Sequence, residues 1–428
     1  MIPRIQCKLT PVPPPMDDKE FAARLHSFHR AVYASVPSVF DRVMVKFWQP
    51  EPGCVAHDHC LLHDGRQWHL FVLSNPLALH HRLVEAVRGG NVEAARNFPY
   101  TVGDLHLAGP SLSSLRTVGR VLTESVGEWG TLAQTNSFVH RVNNRWVNLY
   151  CAMGPRGQRL CLDWSDDLVH WERDPANPVW APPAWAGGTD VCKGPCIVQH
   201  GERYLIYYNL NLVEGTSTVS LISTLNFRTF DDHGPVLKFP CQYRGTQGCE
   251  SPSVFIRNGL WHLMVGSGDS WWHAVSNRPD RFMSTQRTTS ATVQGVYDLG
   301  PFHAGKVVCH EGRWFMTSSF KAEHRRRSRQ QGIPIFRGEE SDERGLLEGL
   351  FISEIEWDGD RPLLTKPNLE TDRQTRRSVR STVSAHSLDR DGGKEKEFAR
   401  LGSRGLPVVG ELGRMQKRVV NAQKGVTS

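Results

Sequence analysis

The chain has 428 residues, 39% hydrophobic and 22% charged, which is ordinary for a soluble globular protein and enough for a large core without disulfide or metal support. No apolar run approaches the roughly 20 residues that a helical membrane span requires. Most of the formal charge of +7 lies in the tail, where Pro367 to Ser428 carries 13 Lys and Arg against 7 Asp and Glu, leaving 38 against 37 for everything before it, so the net charge of the body gives no support to nucleic-acid binding.

In chain order, the opening MIPRIQCKLTPVPPPMDDKE places polar and proline residues where a secretory signal needs an unbroken apolar stretch, so the cytoplasm is the expected compartment. Next, DKEFAARLHSFHRAVYASV has the apolar spacing of one amphipathic helix, and residues 1–40 are read as a short N-terminal helical extension. The ten cysteines are scattered, with Cys192 and Cys196 the nearest approach to a pair; they read as reduced thiols in a core.

Over residues 41–366 the chain repeats itself. Five segments share a polar or small start, a short β-type run, a turn and an aromatic strand: DHCLLHDGRQWHLF from Asp58, NSFVHRVNNRWVNLY from Asn136, KGPCIVQHGERYLIYY from Lys193, ESPSVFIRNGLWHLM from Glu250 and HAGKVVCHEGRWFMT from His303. The pairs Asp64-Gly65, Asn143-Asn144, His200-Gly201, Asn258-Gly259 and Glu311-Gly312 predict hairpin turns. The aromatic after each turn (Trp68, Trp146, Tyr204, Trp261, Trp314) is expected to pack between neighbouring sheets. Further strand-like stretches follow each hairpin: DLHLAGPSLSSL, RLCLDWSDDLVHW, STVSLISTLNFRTF, SWWHAVSNRPDRF and GLFISEIEWDGDRP. Five such antiparallel units close radially, so the predicted fold is all-β, a five-bladed β-propeller whose inner strands line a central channel. His324 to Gly345 reads as a charged loop inserted in the last blade. Residues 367–428 have no Trp or Tyr and read as a basic, disordered tail.

Glycoside hydrolysis usually needs two carboxyl groups flanking the scissile bond. Asp58 opens the first inner strand and Glu250 the fourth, and a radial fold brings such distant residues together. On the strength of HDHCLLHDG, ESPSVF and SDDLVHWE, the chain resembles the five-bladed propeller glycosidases of glycoside hydrolase family 43 and its relatives, families 32 and 62, from about Phe47 to Pro367. The resemblance implies a carbohydrate substrate, Asp58 as base or nucleophile, and Glu250 as general acid. Likeness to family 43 implies inversion, and likeness to family 32 retention. The third Asp of those families, in an RDP-like motif, has no counterpart in Lys193-Gly194-Pro195; Asp190, four residues earlier, is the candidate replacement.

Around the pair, Asn136, Lys193, Arg244 and His303 are candidate substrate ligands, Asn136 for a sugar hydroxyl and the other three also for a phosphate. Trp185 and Trp271, with Trp272, are candidates for stacking on a sugar ring, although packing is the commoner fate of a tryptophan. His57 and His59 flank Asp58 at strand spacing, so the three cannot all face the channel, and no metal site is expected. Neither a P-loop nor a dinucleotide-binding glycine motif occurs, so no cofactor is expected. The rival readings are a sugar-binding propeller without turnover, for which Gly194 argues, and a glycoside phosphorylase. Sugar identity and oligomeric state are not legible.

Overall fold

In the computed structural model, residues 43–51, 54–76, 102–121, 133–154, 157–189, 191–212, 216–240, 249–267, 270–282, 296–298, 303–319 and 349–369 are described. The expected N-terminal helix, the charged loop from His324 and the tail beyond residue 369 lie outside them. All described residues belong to one unit, Met1–Leu369, and none of their helices is long and apolar enough to cross a membrane.

Five sheets form blades I to V, antiparallel throughout except where Val102–Gly103 pairs in parallel with the inner strand of blade II. Their inner strands are Cys54–His63, Ala133–Val142, Cys192–His200, Cys249–Arg257 and His303–His310. Each inner strand packs against the next, and the fifth returns to the first, which is the closure that removes exposed sheet edges from a radial fold. Blade V is completed from both ends of the repeat region. Its third strand, Leu350–Asp358, pairs with Val45–Trp48 through Leu350 to Ile352, and with Arg361–Thr365 through Glu354 to Asp358.

The hairpins form where the sequence supplies turn residues. In blades IV and V both loop residues have positive φ: Asn258 and Gly259 at 50° and 76°, Glu311 and Gly312 at 50° and 75°, which matches the twist of the flanking strands. Two turns differ from expectation. In blade III His200 pairs with Arg203, so the loop is Gly201-Glu202. In blade I His63 pairs with Trp68 across a four-residue loop in which Asp64 Oδ1 accepts the N–H groups of Arg66 and Gln67, both at 2.7 Å.

The repeated aromatic works as expected, reaching back to the preceding blade. Trp68 meets His310 of blade V at 4.7 Å between ring centroids, Tyr204 meets His140 at 6.0 Å, Trp261 meets His200 at 5.2 Å and Trp314 meets Phe255 at 4.9 Å. Trp146 packs against the Cys60 and Phe71 cluster between blades I and II. The buried apolar residues accordingly fall into five clusters, one per seam. The SDDLVHW stretch is a turn device: Ser165 Oγ accepts the N–H groups of Asp167 and Leu168, and Asp167 Oδ1 those of Val169 and His170.

Candidate active site

Every inner strand carries a β-bulge near its start. The register slips between Ala56 and His59, Thr135 and Phe138, Lys193 and Cys196, Glu250 and Ser253, and His303 and Lys306. In four blades the first bulge residue is left-handed: Asn136 at φ 59°, Gly194 at 63°, Ser251 at 54° and Ala304 at 51°. A bulge bends its strand and re-aims the flanking side chains; here five of them ring the axis.

The bulges correct the alignment of the repeats. Glu250 stands level with Ala56, Thr135, Lys193 and His303, just ahead of the bulge. Asp58 is the second bulge residue, level with Ser137, Pro195, Pro252 and Gly305. Asn136 is level with Ser251, as the first bulge residue. The two carboxylates therefore come from different positions of the repeat.

The fold nevertheless connects them. Ser251 Oγ, next in chain to Glu250, donates to Asp58 Oδ1 at 3.4 Å across 193 residues of sequence. Lys193 Nζ donates to Glu250 Oε2 at 3.2 Å, with side chains only 16% and 13% exposed. Burial works against the charge of Lys193, but Glu250 and Asp58 outweigh it and raise the lysine above its ordinary value. A second buried lysine, Lys306, donates to the carbonyl of Pro252 at 3.2 Å; burial lowers it, while Cys196, Cys60 and Asp58 oppose that shift.

Gly194 has no room for a carboxylate. A Cβ built there lies 3.0 Å from Asn209 Oδ1 and 3.4 Å from the Ser251 nitrogen, at φ +63°. Asp190 and Arg244 lie outside the described residues. The backbone of His303 stands level with Glu250 and pairs with Ser319; its side chain lies outside the description.

Two of the three candidate tryptophans, Trp271 and Trp272, are buried and do not fit a sugar-stacking role. Trp271 is 0% exposed, lying on Gly266 and Gly305, where a Cβ would come within 2.8 Å of its ring; the glycines make a slot for the indole between blades IV and V. Trp185 is exposed, but its Nε1 donates to Asp232 at 2.7 Å. Asp232, on the outermost strand of blade III, pairs with Ile222 and lies three strands from Lys193 on the inner one. Trp272 is buried in the seam between blades III and IV. His59 ties blade I to blade V through a 2.7 Å bond between its Nε2 and Thr317 Oγ1.

Three residues at the axis escaped the sequence reading: Ser251, Lys306 and Asp104. Lys306 had a signal, a lysine inside the apolar run GKVVC. Asp104 had only its place at the head of DLHLAG, where it reads as an ordinary strand start.

A propeller of five four- or five-stranded blades has the fold of solved glycosidase structures. Bombyx mori GH32 beta-fructofuranosidase BmSUC1 is similar with a TM-score of 0.52 and 11% identity, over 83% of this chain and 71% of that one. Fructan 1-exohydrolase IIa from Cichorium intybus gives 0.54 and 13%, over 77% of this chain and 61% of that one. A thermostable family-43 glycoside hydrolase gives 0.50 and 14%, over 75% and 97%. At these identities the likeness is one of fold. No protein-family model and no curated protein matches the sequence.

Proposed function

We propose that the axial site binds a carbohydrate and hydrolyses a glycosidic bond, with Glu250 delivering the proton to the departing oxygen and Asp58 activating water as base. The observation that carries this reading is the connection of Asp58 to the Glu250-Ser251 pair at the axis, since hydrolysis by this route needs two carboxyl groups on either side of one bond. The similar structures add support: a mutant of the Bombyx mori enzyme was solved in complex with sucrose and a mutant of the Cichorium intybus enzyme with 1-kestose. For Glu250 to act as an acid it must hold a proton when the sugar is bound.

The Lys193–Glu250 pair also favours a second reading, a propeller that binds sugar without turnover. An ammonium at 3.2 Å favours the ionised partner, and an ionised Glu250 has no proton to give. Turnover of aryl arabinofuranosides, xylosides, fructosides and galactosides, together with sucrose, separates the two. Activity that disappears in Asp58→Ala and in Glu250→Gln, with both variants folded, supports hydrolysis, and the anomer of the first product reports inversion or retention. Binding of a sugar with no turnover supports the second reading.

A further inference from the structure

We propose that Asp104 is a positioning residue of the axial site: a buried carboxyl group coupled to Asp58, whose protonation governs how sugar binds there. The inference rests on the reading of Asp58 as a functional carboxylate.

Asp104 occupies the joint between two blades. It follows Val102–Gly103, which pairs in parallel with Ala133 and Gln134 of blade II, and precedes Leu105–Gly109, the third strand of blade I. Its side chain is fully buried. Oδ2 accepts the N–H of Ser137 at 3.1 Å, and Ser137 is the bulge residue of blade II that stands level with Asp58 in blade I. Oδ1 makes no hydrogen bond among the described residues. Arg120, the nearby cation, spends Nη1 on the carbonyls of Ser74 at 2.9 Å and Gly103 at 3.0 Å.

A buried carboxylate with one oxygen unpartnered is costly in its charged form. Burial accordingly raises Asp104 to about 7; Ser137, whose N–H it accepts, pulls it back, Asp58 pushes it further up and Arg120 opposes that. The ionisable groups that face it are Asp58 and Cys60 on the inner strand of blade I, Arg120 on its outer strand, and Cys151 on the second strand of blade II. Burial raises the two thiols to about 11 and about 12, so they stay neutral where Asp104 titrates. Protonated, Asp104 leaves Asp58 without a like charge behind it. Ionised, it adds one.

A purely structural Asp104 would need only to accept the Ser137 N–H, which Asn can also do. Carboxyl-carbon NMR of the full chain labelled at aspartate is therefore the first experiment, on wild type and on Asp58→Asn. We expect the Asp104 midpoint near 7 in wild type and lower once the like charge is removed. A midpoint that does not move, or one in the ordinary carboxylate range, overturns the proposal. The second arm is the pH profile of sugar affinity in Asp104→Asn: a step near pH 7 in wild type that vanishes in the variant supports the proposal, and a step that persists overturns it. If Asp104→Asn fails to fold, the Asp58→Asn titration decides alone. Coupling between the two carboxyls with no sugar turned over would leave the coupling intact and remove the hydrolase reading, so the two failures are distinguishable.

Discussion

Lys193 Nζ lies 3.2 Å from Glu250 Oε2, bridging the inner strands of blades III and IV at the axis. Both side chains are largely buried, and removing either takes away the opposite charge that the other meets at 3.2 Å.

Lys193→Met should therefore destabilise the fold by about 3 kcal/mol, and the double variant Lys193→Met/Glu250→Gln should recover most of that loss. Urea unfolding of the single and double variants measures the coupling. Additive losses would show that the pair carries no interaction of consequence.

The fold should lose stability between pH 6.5 and 4. His69 Nδ1 lies 3.0 Å from His106 Nε2 in blade I, and the same pair of atoms joins His262 and His273 at 3.0 Å in blade IV. Burial lowers all four, His106 and His262 to about 4. Because the folded values lie below the unfolded ones, the unfolded chain takes up protons first, and stability falls as pH drops through this window. Asp104 and Asp163, both raised to about 7 by burial, act in the opposite sense, but the histidines outnumber them. Chemical denaturation at pH 7, 5.5 and 4.5 would show the decline; a flat profile counts against neutral histidine pairs.

Gly305→Ala should destabilise the protein by about 1–3 kcal/mol, because the added methyl comes within 2.8 Å of the Trp271 ring. Trp271→Leu in the same chain should relieve part of the clash, a result that thermal melts of the single and double variants would reveal. Equal losses with and without the indole would place the strain elsewhere.

Gly194→Asp should lower stability and bring no gain in turnover or in sugar affinity. The position is left-handed, and its Cβ would crowd Asn209 Oδ1 at 3.0 Å, so a carboxylate there is strained whatever its chemistry. A variant that folds normally and hydrolyses faster would refute this account of the site.

The blades were legible because each hairpin is written locally. A turn residue that tolerates positive φ and an aromatic placed to reach the preceding sheet recur in every unit, and these marks survive translation into structure at Trp68, Tyr204, Trp261 and Trp314. The bulge was not legible. Its left-handed position holds Asn136, Gly194, Ser251 and Ala304 in different blades, four residue types with no shared signature, so an alignment by first polar residue set Asp58 level with Glu250. Trp271 was misplaced for a related reason: its slot is made by Gly266 across the same hairpin and by Gly305 of the next blade, and the second is distant in sequence.

The sequence by itself determined that five antiparallel units close on an axis and that blades I and IV bring carboxylates to it, because hairpin turns, strand alternation and the seam aromatics are short-range properties. Only the tertiary structure decided which charges meet there. Lys193 with Glu250, Ser251 with Asp58, and Asp104 with the bulge of blade II are contacts between blades. They depend on how far each strand is shifted by its bulge and on how much water the closed ring excludes, quantities that arise when all five inner strands are packed together.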